Sequence, residues 1–417
     1  MIPHVSIHRF NLGNGLKVIL VPDHRLPVMS QYTFYRVGSR NESTNVSGIS
    51  HLFEHMMFKG SKKFGPGEFD SILESHGGYS NAYTTRDMTV YYESFPPHIV
   101  STAMELNADR MGWLNLNPES LESEREVVKE ERRMRTDNSI AGILEELLYA
   151  AAYTAHPYRW PVIGWMDDLN YITLQDCQEY FNRFYVPNNA TLLLVGDCTI
   201  DNGTRLVEQY YAGIPSHELP AGRFTTEPAQ QGERRAVHYK QTQVESCMIG
   251  FHVPGVNNPD KFSLDILQTI LGEGESSRFY NLLIYEKELV VSMSVEFEWC
   301  FDPSLFVVYA KLKPGKKIEE VESVIYSELE HIVQQGIKSE ELQKAKIILL
   351  SSIIRGMKTA AGKGNRLGII EMFLNDCQKV YELPAEYNKV TEHDVQLVVK
   401  KYFNERNRTV VSVLPEK

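Results

Sequence analysis

Cysteine is sparse in this sequence. Five are present, Cys177, Cys198, Cys247, Cys300 and Cys377, and they are scattered, odd in number and without CxxC spacing. This excludes a disulfide framework and points to reduced, mostly structural thiols. Long apolar runs are also lacking: nothing approaches the roughly 18 consecutive apolar residues of a membrane span. The opening stretch, MIPHVSIHRFNLGNG, has no apolar core of the signal-peptide kind. The expected compartment is therefore the cytoplasm, or the periplasm or an organelle if a leader has been removed. Positive charge is not in excess. With 43 Lys and Arg against 54 Asp and Glu, the formal net charge is −11, which argues against nucleic acid or an anionic membrane as the main partner. What remains is an ordinary globular composition, 42% hydrophobic and 23% charged, in a 417-residue chain long enough for two or more domains.

Against that background one stretch stands out, Ser47 to Gly60, SGISHLFEHMMFKG. Ser47 suits an N-cap, Lys59 the last turn and Gly60 the stop of a short amphipathic helix. At about 100° per residue, Ile49, Leu52, Phe53, Met56 and Met57 share one side and His51, Glu54 and His55 the other. Two imidazoles four residues apart project one turn apart and suit a single metal ion. Glu54 then sits beside any water on that metal, placed as a general base.

A catalytic zinc site wants a third protein ligand and one open position. A second helix is predicted from an Asn117 cap and Pro118 to about Arg135, acidic at its start and basic at its end. Val127, Val128 and Met134 are its expected buried face, with Glu124 and Glu131 in the middle of it and Glu130 about a quarter turn away. A carboxylate on a buried face needs a partner. Glu131 is the candidate third ligand and Glu124 a residue that orients a ligand from behind. The plainer alternative is that both pair with nearby arginines on a solvated helix.

HLFEH followed by EREVVKEE resembles the inverzincins, the pitrilysin, insulysin and mitochondrial-processing-peptidase family. In that family the third zinc ligand is a Glu about 76 residues beyond the second His, the distance from His55 to Glu131 here. GGYSNAYTTRDMTVYY from Gly77, HPYRWPVIG from His156 and YVPNNATLLLVGD from Tyr185 match further family blocks in order. The resemblance implies one Zn2+ per chain on His51, His55 and Glu131, Glu54 as base, and an extended peptide held along an edge strand at Asn81 and Ala82. Asn81 reads equally well as a turn residue. The resemblance also implies a clam-like chamber commonly built of four domains, so that a two-domain chain is half of a dimer.

The remaining sequence reads as α+β, helices on a mainly antiparallel sheet. A hairpin turning at Asn14-Gly15, a strand over 28–37, paired strands over 79–95 and an apolar strand over 190–196 are expected, with helices over 67–75, 97–113, 140–153 and 173–184. Residues 215–232 have the composition of a linker. The segment from Thr173 can be laid on that from Thr391 at an offset of 218 without a gap, matching Thr173, Asp176, Gln178, Asn189 and Thr191 to Thr391, Asp394, Gln396, Asn407 and Thr409. Two homologous tandem domains follow, 1–214 with the metal motif and 233–417 without it. In the second, strands over 236–253 and a helix over 262–271 are expected, and that helix has no histidine.

One departure from the family pattern matters. Active relatives carry an Arg and a Tyr, seven apart, in a stretch aligning with SSRFYNLLIYEKELVVS from Ser276. Here the Arg position falls on Ile284 or Tyr285 and the Tyr position on Val291, and Arg278 reads as a local structural arginine. Losing such transition-state donors costs on the order of 10²–10³ in rate. The expectation is a zinc-dependent endopeptidase for short or unfolded peptides, in a dimer whose homologous zinc-less partner supplies the missing pair. The alternatives are a processing enzyme for one peptide and a weakly active or non-catalytic zinc-binding scaffold.

Overall fold

Two sheets form where the sequence concentrates its β-branched and aromatic residues. The computed structural model describes residues 4–219 and 222–416; Met1, Ile2, Pro3 and Lys417, at the ends of the two expected domains, and Pro220 and Ala221, inside the expected linker, lie outside the described residues. The first sheet contains β1 (His8–Asn11), β2 (Lys17–Pro22), β3 (Met29–Tyr35), β4 (Tyr79–Thr84), β5 (Thr89–Phe95) and β6 (Ala190–Gly196), in the order β1-β2-β6-β3-β5-β4. Its neighbours are antiparallel except β2 with β6. The apolar run of β6 is buried along its whole length, as a central strand should be. At the hairpin, Gly15 has φ +86° and an added Cβ would lie 2.7 Å from the Cβ of Asn188, so glycine is required there.

The second sheet contains β7 (Arg234–Lys240), β8 (Ser246–Val253), β9 (Val290–Phe297), β10 (Ser304–Leu312) and β11 (Arg408–Pro415), in the order β7-β11-β8-β10-β9. Only β7 and β11 run parallel. This is the first sheet's order repeated, with no counterpart of β1 among the described residues. The α+β reading and the tandem repeat therefore hold in three dimensions. Three of the five identities in the 218 offset are caps or turn anchors. Thr173 caps the helix Leu174–Phe184 in a reciprocal box with Asp176, and Thr391 caps Glu392–Tyr402 the same way with Asp394. Asn189 Nδ2 donates to Phe184 O at 2.9 Å, and Asn407 Nδ2 to Tyr402 O at 2.7 Å.

The chain's contacts divide it into two units, residues 1–132, 160–224 and 353–381, and residues 133–159, 225–352 and 382–417. Each unit takes one helix from the other half of the sequence. In the first, the helix Ala360–Leu374 packs on β3 and β6; in the second, Ile140–Ala152 packs on β7, β8 and β11. The two are equivalents, capped by Ser139 accepting from Gly142 N and by Thr359 accepting from Gly362 N. Domain limits drawn along the sequence, 1–214 and 233–417, and units drawn by contact differ by these exchanged segments. A helical period shows that a face is buried but not which sheet buries it.

Close packing fixes the exchanged helix of the first unit. A Cβ on Gly364 would lie 2.4 Å from the Tyr32 ring and one on Gly368 2.0 Å from the Phe34 ring. Its fully buried Lys363 pairs with Asp23 at 2.5 Å, and Glu371 receives Lys17 at 2.7 Å and Arg9 at 3.2 Å. The first unit's core lies between its sheet and the helices that carry the motif residues. No helix among the described residues is long and apolar enough to cross a membrane.

Candidate metal centre

The motif helix spans Ile49–Met56 and buries Ile49, Leu52, Phe53 and Met56, the side that the periodicity predicts. Its start differs from the expectation. Gly48, not Ser47, occupies the cap position, at φ 86°. Ser47 instead donates its hydroxyl to Asp168 Oδ2 at 2.5 Å and accepts from Trp165 N at 3.0 Å. The reason is steric. Gly48 and Gly164, both at positive φ, lie back to back, and a Cβ on Gly164 would meet the Gly48 Cα at 2.5 Å. The orphan amides of the helix are met by Glu42, which accepts from Gly48 N at 2.8 Å and Ser50 N at 2.9 Å. Burial pushes the Glu42 carboxyl up to about 8 against these hydrogen bonds. The helix ends at Met56, short of Lys59 and Gly60.

The glutamate helix spans Pro118–Arg132, with Asn117 Oδ1 accepting from Ser120 N at 2.9 Å. Its buried residues are Leu121, Glu124, Arg125, Val128 and Arg132. Val127 and Met134, expected on that face, are instead 47% and 73% exposed. Val127 is one helical step off the buried line, and beyond Arg132 the chain widens into a π-turn, Arg133–Asp137, that takes Met134 out of register. Two arginines fasten the helix. Arg125 donates to Leu169 O, and to Ile172 O at 2.7 Å; Arg132 donates to Gly164 O at 2.6 Å, behind the glycine contact at the motif helix.

The two helices bring three candidate ligands, two imidazoles and a carboxylate, to one point. His51 Nε2 is 3.7 Å and His55 Nε2 3.4 Å from the same Glu131 Oε2. All three donor atoms lie within 4.8 Å of one another. Tetrahedral zinc at about 2.0–2.1 Å from its ligands sets neighbouring donors roughly 3.4 Å apart, so the donor set and its spacing fit that ion. Glu130 is exposed and Glu131 partly buried, as the periodicity requires. A second three-donor group, Glu371, Asp376 and Cys377, already holds the cations Arg9 and Lys17 through its carboxylates.

Glu124 stands behind the group, with Oε2 3.4 Å from His55 Nδ1 and Oε1 2.7 Å from Lys59 Nζ. Burial acts to raise its pKa, but His55 and Lys59 outweigh burial and lower it. For His55, burial opposes protonation, yet Glu124 and Glu131 raise its pKa to about 9. The same carboxylates favour a metal cation between the rings. Glu54 lies on the face of His51 and His55, and its Oε2 accepts from Thr84 Oγ1 at 2.5 Å. Asn81 and Ala82 lie on β4, which is an edge strand of the first sheet, and Asn81 Oδ1 accepts from Ala82 N at 2.8 Å.

In the second unit, Arg278 is held by Glu328 and Glu341, each at 2.6 Å, as a local structural arginine would be. Tyr285 and Val291 are exposed. Sequence reasoning did not find Glu42, Lys59, Asp168 or Thr84 as site supports. Only Thr84 left a local signal, since alternation along β4 sets it on the face of Ala82.

Residues 29–164 match the family model described as Insulinase (Peptidase family M16), and residues 171–349 match Peptidase M16 inactive domain. The zinc protease PqqE of Helicobacter pylori is 34% identical over 410 residues, 97% of this chain and 92% of that protein. The chain belongs to peptidase family M16. A solved protease from Helicobacter pylori superposes on this M16 chain with a TM-score of 0.95 at 33% identity, covering 99% of this chain and 100% of the other. The beta subunit of mitochondrial-processing peptidase from Lentinula edodes is 25% identical over 270 residues, 64% of this chain and 58% of that one. The periplasmic protease PqqL of Escherichia coli shares the fold, with a TM-score of 0.80 at 18% identity, over 99% of this chain and 48% of its own.

Proposed function

We propose that this M16 chain is a zinc-dependent endopeptidase acting on short or unfolded peptides. The observation that carries the reading is the convergence of His51, His55 and Glu131 on one point with Glu54 on the same helix face. Zinc on those three residues would supply Lewis acidity toward a water and the scissile carbonyl. Glu54 takes the proton of the attacking water and returns it to the leaving amine. Glu124 orients His55 from behind, and Lys59 balances its charge. The edge position of β4 suits main-chain pairing with an extended peptide at Asn81 and Ala82, which favours shape over sequence in substrate choice.

The chain is further proposed to work in a dimer with a homologous subunit lacking the zinc motif. Supporting this, Arg278 is engaged with two glutamates, and Ile284, Tyr285 and Val291 stand where the resemblance calls for Arg and Tyr. The match to 48% of PqqL agrees with the idea that two such lengths make one working unit.

The deciding experiment is hydrolysis of a quenched fluorescent unfolded peptide by the zinc-loaded chain, alone and mixed with a zinc-less homologue. Glu54→Gln should keep its zinc and lose roughly 10²–10⁴ in rate. Retained turnover removes Glu54 as the base, and full activity of the pure chain removes the need for a partner.

A further inference from the structure

β4 closes on Thr84, and its alternation divides the strand's side chains. Ser80 donates to Asp70 Oδ1 at 2.5 Å, Ala82 packs against the core, and Thr84 donates to Glu54 Oε2 at 2.5 Å. The side chains between them turn to the other face, where the Tyr83 hydroxyl donates to Asn365 at 2.9 Å. The edge strand is thus tied to the helix Glu68–Ser75 at one end and to the motif helix at the other.

Thr84 is held on a rigid mount. The next residue, Thr85, donates its amide to Met88 O at 2.8 Å, and its hydroxyl accepts from Asp87 N at 3.2 Å and Met88 N at 3.0 Å. Across the turn, Ser39 N donates to Thr85 O at 3.2 Å and Arg40 N to Arg86 O at 3.0 Å. Gly38 allows this approach, because a Cβ there would lie 2.4 Å from Thr85 O. Glu54 has a long side chain whose terminal torsion is broad, so its carboxylate plane is not set by its own helix.

We propose that Thr84 is a positioning residue that fixes the carboxylate of Glu54 and ties it to the strand along which the peptide lies. This rests on the reading of Glu54 as the base. A one-ångström displacement of a reacting group costs on the order of 10² in rate, which sets the scale of what one such hydrogen bond protects.

Thr84→Val keeps the shape and removes the donor; Thr84→Ser keeps the donor. The expected result for Thr84→Val is a kcat lower by about tenfold to a hundredfold, with KM within about twofold and zinc content unchanged. Thr84→Ser should restore most of the rate. A readout independent of metal and turnover comes from melting of the metal-free chain carrying Thr84→Val, Glu54→Ala and both. If the two side chains are bonded, the shifts of the single variants do not add in the double variant. Wild-type kcat in Thr84→Val, failure of Thr84→Ser to rescue, or additive shifts would each overturn the proposal. If the unaltered zinc-loaded chain hydrolyses nothing in any pairing, the peptidase reading falls instead, and the melting cycle still decides whether Thr84 holds Glu54.

Discussion

At corresponding places in the two halves, the helix Ile49–Met56 carries His51, Glu54 and His55, whereas Asp260–Gly272 carries no histidine. The polar residues of the second helix serve the fold: Asp265 accepts from Trp299 Nε1 at 3.1 Å and from the Tyr387 hydroxyl at 2.6 Å, and Lys261 donates to Val256 O at 2.7 Å. The helices next in the comparison differ likewise. Pro118–Arg132 offers Glu124 and Glu131, while Ser339–Gly356 offers the apolar run Ile347 to Leu350. Yet the Thr-Asp boxes, the Asn anchors, the strand order and the exchanged helices recur in both. The recurring caps and anchors are local and small, so the faces that carry chemistry can diverge without disturbing them.

The largest effect that would sharpen this contrast is on metal. Glu131→Gln should abolish stoichiometric zinc binding, Glu124→Gln should weaken it about 10–100-fold, and Glu130→Gln should leave it unchanged. Zinc content after dialysis against a competing chelator checks all three, and loss in Glu130→Gln would move the ligand by one residue. Next comes the exchange of helices. Gly368→Ala should destabilise the fold by about 1–3 kcal/mol through its clash with Phe34, read as a lower melting temperature. Gly142→Ala, whose Cβ would meet Arg135 O at 2.1 Å, should instead strain the turn leading into the second unit's exchanged helix, also read as a lower melting temperature.

A smaller effect is on the pH dependence of stability. The folded-state pKa of Glu42, about 8, lies above its ordinary value of 4.5, so the folded chain holds that proton more tightly than the unfolded chain does. Its contribution to stability is complete below about 4.5 and is lost as pH rises toward about 8. Glu42→Gln should flatten that slope, by a few degrees of melting temperature between those limits. An unchanged slope would assign it elsewhere. Smallest is the caps: Thr173→Ala and Thr391→Ala should each cost about 1 kcal/mol, equally in both halves, by thermal unfolding.

The first part of the candidate donor group was legible because it is local: His51, Glu54 and His55 occupy one turn of helix. Glu131 lies 76 residues beyond His55, and choosing it over Glu130 took the family spacing together with helical geometry. The repeat was legible because caps are short-range and specific in residue type. Ser47 was misread because the cap position is decided by the close approach of Gly164, which lies far along the chain. Val127 was misread because it sits one helical step off the buried line, and Met134 because a π-turn breaks the helical period at Arg133. The role of Glu42 and the exchange of helices were invisible for the same reason: both depend on which surfaces meet, and periodicity is silent on that.

The exchanged helices also bear on how the chain is made. The last strand of the first sheet ends at Gly196, but the helix that covers β3 and β6 ends at Leu374. At about 5–20 residues per second, a ribosome needs roughly ten to forty seconds to supply that cover. Through that interval the nascent sheet shows Tyr32 and Phe34 to solvent or to whatever chaperone reaches them. A protein cut short before Ala360 would be left in that state for good.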